Sequence, residues 1–203
     1  MRRRVADSLR VGAIVLAAGA STRMGTNKML LKVKGETIVR RAVQSAQSAG
    51  SAFIVVVLGH EPARVEAALA GMTCTFVVNP GFTGPTSGSL HCGLRMLPAS
   101  CDAAVVMLAD MVHVTSAMVR TVIDTAGQGN VPLVVSRYGE VTAPPLLFRR
   151  SLFGELLAWT GEGCGKAVVR AHAREAAYVD WPPSVLADVD TPGDYVALGE
   201  GSG

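Results

Sequence analysis

Three short stretches of this chain, residues 12–17, 53–58 and 103–108, are apolar almost without interruption. Runs of this length with no polar alternation predict strands buried on both faces. The segments between them repeat at the helical period. Ile38, Ala42, Val43 and Ala46 place a helix over residues 37–49, with Gly50 as its stop. Pro62 suits the first turn of a helix reaching about Ala70, and Thr115 is placed to cap one reaching Ala126. Further strands are predicted at 74–78, 133–136, 146–148 and 176–179, and further helices at 89–97, 151–159, 165–172 and from Thr191-Pro192 towards Leu198. Residues 81–88, rich in Gly, Thr, Ser and Pro, read as a loop. Strands alternating with helices predict an α/β fold, a mostly parallel sheet covered by helices on both faces. Ligands of such sheets bind beyond the carboxyl ends of the strands. That rule singles out residues 19–28, residues 79–89 and Asp110.

A chain of 203 residues, 49% hydrophobic and 17% charged, can bury one sizeable core. The reading is a single domain over 1–203, with flexible termini at about 1–10 and 200–203. The net charge of +3 is partly the work of Arg2, Arg3 and Arg4. Basic residues elsewhere recur singly, without the interleaved aromatics of a nucleic-acid platform. Cys74, Cys92, Cys101 and Cys164 form no C-x-x-C pair, and no His stands at metal-ligand spacing from them. Reduced thiols are therefore expected. The basic start and the apolar stretch 11–18 imitate an export signal, but Asp7, Ser8 and Arg10 interrupt the approach and Gly12 lies within the run. No stretch reaches the roughly 18 apolar residues of a membrane span. A cytoplasmic protein with neither membrane nor nucleic-acid partners is the expectation.

Chemistry gathers where the first strand ends. Leu16, Ala17, Ala18 and Gly19 lead into Ser21, Thr22 and Arg23, and Lys28 follows. Small residues let consecutive backbone N–H groups approach an anion closely. Ser21 and Thr22 add hydroxyl donors, Arg23 a planar fork suited to phosphate oxygens, and Lys28 a mobile point charge. A polyphosphate meets three kinds of donor within one loop. The pattern is neither G-x-G-x-x-G nor G-x-x-x-x-G-K-[ST], which removes support for dinucleotide and P-loop readings.

The segment L-A-A-G-A-S-T-R-M-G-T-N-K-M-L-L, residues 16–31, resembles the opening motif of the nucleotidyltransferases that act on the molybdenum cofactor. Their pattern has the form L-A-[AG]-G-x-S-x-R-M-G-x-x-K. The resemblance implies a Rossmann-like three-layer αβα sandwich of the nucleotide-diphospho-sugar transferase type. It also implies a nucleoside triphosphate in the loop, with Arg23 and Lys28 on its phosphates. L-A-A-G is similar to the cytidylyltransferase branch, where the guanylyltransferases carry L-A-G-G. Alanine in place of glycine narrows the space for the base, so CTP is expected.

Asp110, in L-A-D-M, resembles the Asp of G-D-M-P or G-D-Q-P that helps to hold Mg²⁺, although Val112 replaces the Pro and His113 follows. A carboxylate at a strand end facing a triphosphate suits a hard cation. Asp188-Val189-Asp190-Thr191-Pro192 resembles D-I-D-T-P and implies a second metal ligand, with Asp190 preferred to Asp188. Residues i and i+2 of a strand share a face, so either can serve, and Asp190 can equally cap the helix that Pro192 begins. Asn79 and Ser89 lie in a stretch resembling N-P-x-(x)-x-x-G-x-x-x-S-L-x-x-G, with Ser89 expected at a helix start against base, ribose or phosphate.

The region expected to face the second substrate departs most from the pattern. Ala143-Pro144 stands where Gly-His is usual, and Glu162-Gly163-Cys164-Gly165-Lys166 only approximates G-D-x-G-A-R. Lys166 is either a cation for a pterin phosphate or a solvated helix-end residue. His60, in L-G-H-E, reads as structural or pocket-lining. The implied reaction is Mg²⁺-dependent transfer of CMP from CTP to a phosphorylated acceptor, molybdopterin foremost, with release of pyrophosphate. The implied partner is a molybdoenzyme of the xanthine dehydrogenase or CO dehydrogenase type. The same fold also serves sugar- or alditol-phosphate acceptors. A cofactor-binding or insertion protein that releases no pyrophosphate is the reading from another class.

Overall fold

The computed structural model describes residues 9–19, 25–186 and 192–197. β1 (Val11–Ala17) enters first; a 3-10 turn at Lys28–Leu30 and a small ribbon, β2 (Lys32–Val33) with β3 (Glu36–Thr37), lead into α1 (Ile38–Ser48). Then follow β4 (Phe53–Leu58), α2 (Pro62–Ala68), β5 (Thr75–Val78), α3 (Thr86–Met96), β6 (Ala103–Leu108) and α4 (Ser116–Gln128). The chain continues through β7 (Leu133–Tyr138), β8 (Val141–Arg149), α5 (Phe153–Ala158), α6 (Cys164–Ala171), β9 (Ala177–Trp181) and α7 (Pro192–Ala197). Seven strands make one sheet in the order β5-β4-β1-β6-β8-β7-β9, so β1 and β6 lie inside it, side by side and parallel.

The predicted strands lie in the sheet, but β8 runs antiparallel to both of its neighbours. Only Gly139 and Glu140 separate it from β7, and a two-residue connection must reverse the chain. Gly139 takes φ 62° to make that turn. β8 is also much longer than the predicted 146–148. Pro144 and Pro145 mask its first half in the sequence, and the structure places them where the β7 register jumps between Val135 and Arg137. Their peptide bond is cis. Ser136 Oγ donates to the Pro145 carbonyl at 2.7 Å and Tyr138 Oη to that of Pro144 at 2.8 Å, which anchors the proline segment.

Side-chain parity along β1 divides the molecule into layers. Val11, Ala13, Val15 and Ala17 join the core formed with α1, α2 and α4, while Ile14, Leu16 and Ala18 face that formed with α3, α5 and α6. Helix α3 lies so close to β1 that a Cβ at Gly93 would collide with the Ile14 side chain. Thr115 caps α4 as predicted, its Oγ1 accepting from Met118 N at 3.3 Å. Ser151 caps nothing: residues 150–152 form a 3-10 turn and α5 starts at Phe153. The helix predicted from Ser89 starts at Thr86, so residues 86–88 are its first turn rather than loop. The four cysteines are free, and burial pushes the thiols of Cys74, Cys101 and Cys164 up. Among the described residues no helix is long and apolar enough to cross a membrane.

Candidate active site

β1 and β6 finish level with one another, the Ala109 N–H donating to the Leu16 carbonyl at 3.1 Å. Beyond that bond Ala18, Gly19 and Asp110 emerge on the α3 side of the sheet. They line a cavity of about 200 Å³ with Leu16, Lys28, Ser89 and others. Lys28 Nζ reaches Asp110 Oδ2 at 2.5 Å. The lysine side chain is 10% exposed and the aspartate 19%, so each charge depends on a partner. A triphosphate arriving here offers Lys28 a more highly charged acceptor than one carboxylate, and a cation accompanying it can take up Asp110.

Lys28 is held in place from behind. Asn27, 1% exposed, accepts from Met29 N through Oδ1 at 3.1 Å, capping the 3-10 turn that Lys28 opens. Its Nδ2 donates to the His60 carbonyl at 3.0 Å, which ties the loop to the end of β4. The His60 ring lies 6.3 Å from that of Phe82, which lines the cavity, while His60 itself is not among the lining residues. A Cβ at Gly59 would collide with the Ala18 carbonyl and crowd Phe82, so only glycine lets these loops meet. Asn27, Phe82 and Thr86 fall within the predicted segments 19–28 and 79–89 without a role of their own in the sequence reading, and Gly59 lies outside both. An asparagine two residues before Met29 and a glycine after a buried strand are the only local signals.

Other predicted residues take different places. Ala17 is buried in the α1–α4 core and is not among the residues lining the cavity; strand parity turns it away. Asn79 supports rather than lines: its Nδ2 donates to Ser89 Oγ at 3.0 Å and its Oδ1 accepts from Gly81 N at 3.0 Å. Ser89 lines the cavity from the end of the first turn of α3, not from its start. Val112 faces a different cavity, with Ser45 and Ser48 of α1, and His113 is exposed. The Val112 N–H donates to the Asp110 carbonyl at 2.9 Å, a bond that a proline in this place could not make. Ser21, Arg23, Asp188 and Asp190 lie outside the described residues, as do the termini 1–8 and 198–203.

A second cavity, of about 410 Å³, adjoins the first and shares Leu16, Thr86 and Leu108 with it. Ala143 and Pro144, the pair that departs from the resembling pattern, form part of its wall, and Lys166 stands on its lining. Among the described residues no three His, Cys, Asp or Glu side chains gather as a metal cage. Asp110 at the phosphate-sized cavity nevertheless fits Mg²⁺, which is usually held by one or two carboxylates together with substrate phosphates.

Comparison with known proteins agrees with this geometry. The model of the MobA-like NTP transferase domain matches residues 13–176. The crystal structure of Rv0371c from Mycobacterium tuberculosis H37Rv is 30% identical with a TM-score of 0.84, covering 94% of this chain and 98% of that one. A structure of Rv0371c in complex with manganese is 27% identical with a TM-score of 0.79, over 94% and 98% of the two chains. The bifunctional protein GlmU of Francisella tularensis subsp. novicida (strain U112) is 28% identical over 129 residues, 62% of this chain. The chain spans only 28% of the length of that curated relative. The architecture is a Rossmann-like αβα sandwich of the nucleotide-diphospho-sugar transferase type.

Proposed function

The chain belongs to the MobA-like NTP transferase family, a family of nucleotidyltransferases, and we propose that it transfers CMP from CTP to a phosphorylated acceptor of the molybdopterin type. The observation that carries this reading is the Lys28–Asp110 pair at the carboxyl ends of two adjacent parallel strands, in a cavity that opens into a larger one. Two substrates can thus meet at the shared wall of Leu16, Thr86 and Leu108.

An oxygen of the acceptor phosphate attacks the α-phosphorus of CTP. A new P–O–P link forms, the α–β bridging P–O bond breaks, and pyrophosphate leaves with the electron pair. Such chemistry needs positioning and charge neutralisation more than a general base. Lys28 turns from Asp110 to an α-phosphate oxygen, and the hydroxyl of Ser89 with the backbone N–H of Gly19 holds the triphosphate. Arg23 is assigned to the leaving pyrophosphate, and Asp190 or Asp188 to the metal beside Asp110, on the strength of their motifs. A divalent cation such as Mg²⁺, bound with the triphosphate, supplies neutralisation of the charge on the leaving group.

The methyl group of Ala18 lines the donor cavity and supports a pyrimidine over a larger purine. Ala18→Gly is predicted to raise the GTP-to-CTP ratio of kcat/KM about tenfold, as a change of one methyl group in a pocket permits. Pyrophosphate release measured with CTP, GTP and ATP, with and without molybdopterin, tests the whole reading. No release with any triphosphate would overturn it.

A further inference from the structure

Arg41, Ser45 and Ser48 follow one another at the helical period along α1 and so share a face. A polar stripe of this kind ordinarily meets water. Here it meets the segment that leaves β6 and the start of α4, on the side of the sheet away from the cavity of Lys28 and Asp110. Between them lies a separate cavity of about 180 Å³, to which Arg41, Gln44, Ser45, Ser48 and Ser116 bring polar groups. The Arg41 guanidinium is the group that calls for a ligand. Its Nε is shielded from solvent and has no hydrogen-bond partner among the described residues. Its Nη1 makes only a long bond, 3.5 Å, to the Val33 carbonyl. The neighbouring Arg40 shows the contrast: it pairs with Glu36 at 3.2 Å and donates to the carbonyls of Ala68 and Ala70. A shielded guanidinium N–H without an acceptor is costly, and among the described residues no carboxylate lines this cavity to supply one. The other donors point to the same kind of ligand. Ser45 Oγ reaches the Val114 carbonyl at 3.5 Å, a bond weak enough to exchange for a better acceptor. Ser116 is the first residue of α4. The Thr115 side chain takes the Met118 N–H, which leaves the positive end of the helix dipole beside this space.

We infer that this cavity is a second anion site, separate from the one at Lys28 and Asp110, which takes phosphate, free or as the terminal group of a small metabolite. Arg41 Nε holds it, with the hydroxyls of Ser45, Ser48 and Ser116. Donors supplied by two helices match a tetrahedral ion with acceptor oxygens on every side better than a flat carboxylate with two. The two cavities meet through the chain itself. Ala109, Met111 and Val112 line the Arg41 cavity, while Asp110, between them in sequence, lines the other. A phosphate at Arg41 therefore contacts the turn that carries Asp110.

The test follows the Nε–Hε signal of Arg41 by ¹⁵N–¹H NMR while inorganic phosphate is added to the nucleotide-free protein at constant ionic strength. The signal is assigned by its loss in Arg41→Lys. Wild type and Lys28→Met are titrated side by side, because phosphate can also bind at Lys28, and thermal unfolding shows that each variant is folded. The signal is expected to shift saturably in both proteins. Ser116→Ala, made in the wild-type chain, should weaken that titration several-fold, as loss of one hydrogen bond does. By calorimetry, Arg41→Gln added to Lys28→Met should weaken phosphate binding about tenfold or more, as loss of a charge-assisted contact does. Methyl phosphate, titrated in the same way, reads the source: binding at least as tight as that of inorganic phosphate assigns an esterified ligand, and weaker binding assigns the free ion. A shift no larger than chloride produces would overturn the inference. So would a shift that disappears in folded Lys28→Met, which would trace it to the other cavity, or acetate binding as tightly as phosphate. None of these results bears on the transferase reading, which rests on the Lys28–Asp110 cavity.

Discussion

Lys28 and Asp110 each serve as the other's counter-charge until a substrate arrives, so removing either leaves a partly buried charge behind. Lys28→Met and Asp110→Asn are each predicted to lower kcat about 100-fold or more, in line with losing one group that stabilises transition-state charge. A steady-state assay of pyrophosphate release checks this. The supporting residues should behave differently. Asn27→Ala removes both the cap on Met29 and the tether to His60, and is expected to cost about 1–2 kcal/mol of stability in urea unfolding. Lys28 was legible in the sequence because a cation among small residues after a buried strand is a chemical signal in itself. Ala17 and Ala18 were read together because a motif does not record parity; only the position of α1 and α4 shows which of the two lines the cavity. The supporting roles of Asn27 and Gly59 were illegible for a related reason. Their partners, His60 in one case and Ala18 with Phe82 in the other, lie far along the chain.

Elements differed in how plainly their residues announced them. β4 and β6 fall on the predicted residues, because short uninterrupted apolar runs bounded by turn signals have little alternative to a buried strand. The first turn of α3 was hidden by Pro85, Thr86 and Gly88, a composition shared by loops and helix starts. The hairpin of β7 and β8 was hidden by its two prolines. Helix α6 brings Cys164, Gly165 and Lys166 to the larger cavity, and an exposed ionic contact joins its carboxyl end to α5. His172 Nε2 lies 2.9 Å from Glu155 Oε2, and Nδ1 lies 3.3 Å from Glu175 Oε1. The bond to Glu155 chiefly, then Glu175, raises the imidazole above its ordinary 6.5. A folded-state value above the unfolded one means that the contact stabilises fully below the unfolded value. The stabilisation is lost as pH rises through the folded one. Glu155→Gln should therefore lower urea-unfolding stability near pH 5 and have no such effect near pH 9, where His172 is neutral in both states. Equal effects at the two pH values would contradict the assignment.

The sheet order accounts for the site at the level of the whole molecule. Placing β1 beside β6 brings Ala18, Gly19 and Lys28 together with Asp110, which is distant in sequence, and adding β8 next to β6 sets the second cavity against the first. Alternation of strands and helices was enough to predict the layers, and the cavity that Asp110 lines lies at the end of the sheet to which that alternation points. It did not predict that the carboxyl ends of β1 and β6 and the amino ends of α3 and α6 would enclose two joined spaces, since that depends on packing between elements. The Lys28–Asp110 end of this sheet is proposed to hold CTP for transfer to a phosphate in the neighbouring cavity. The most direct measurement is ³¹P NMR of CTP incubated with molybdopterin and the protein, wild type beside Asp110→Asn. Pyrophosphate and a new P–O–P resonance are expected in equal amounts with the wild type, and neither above background with the variant. CTP left intact by the wild type, or consumed equally by the variant, would contradict it.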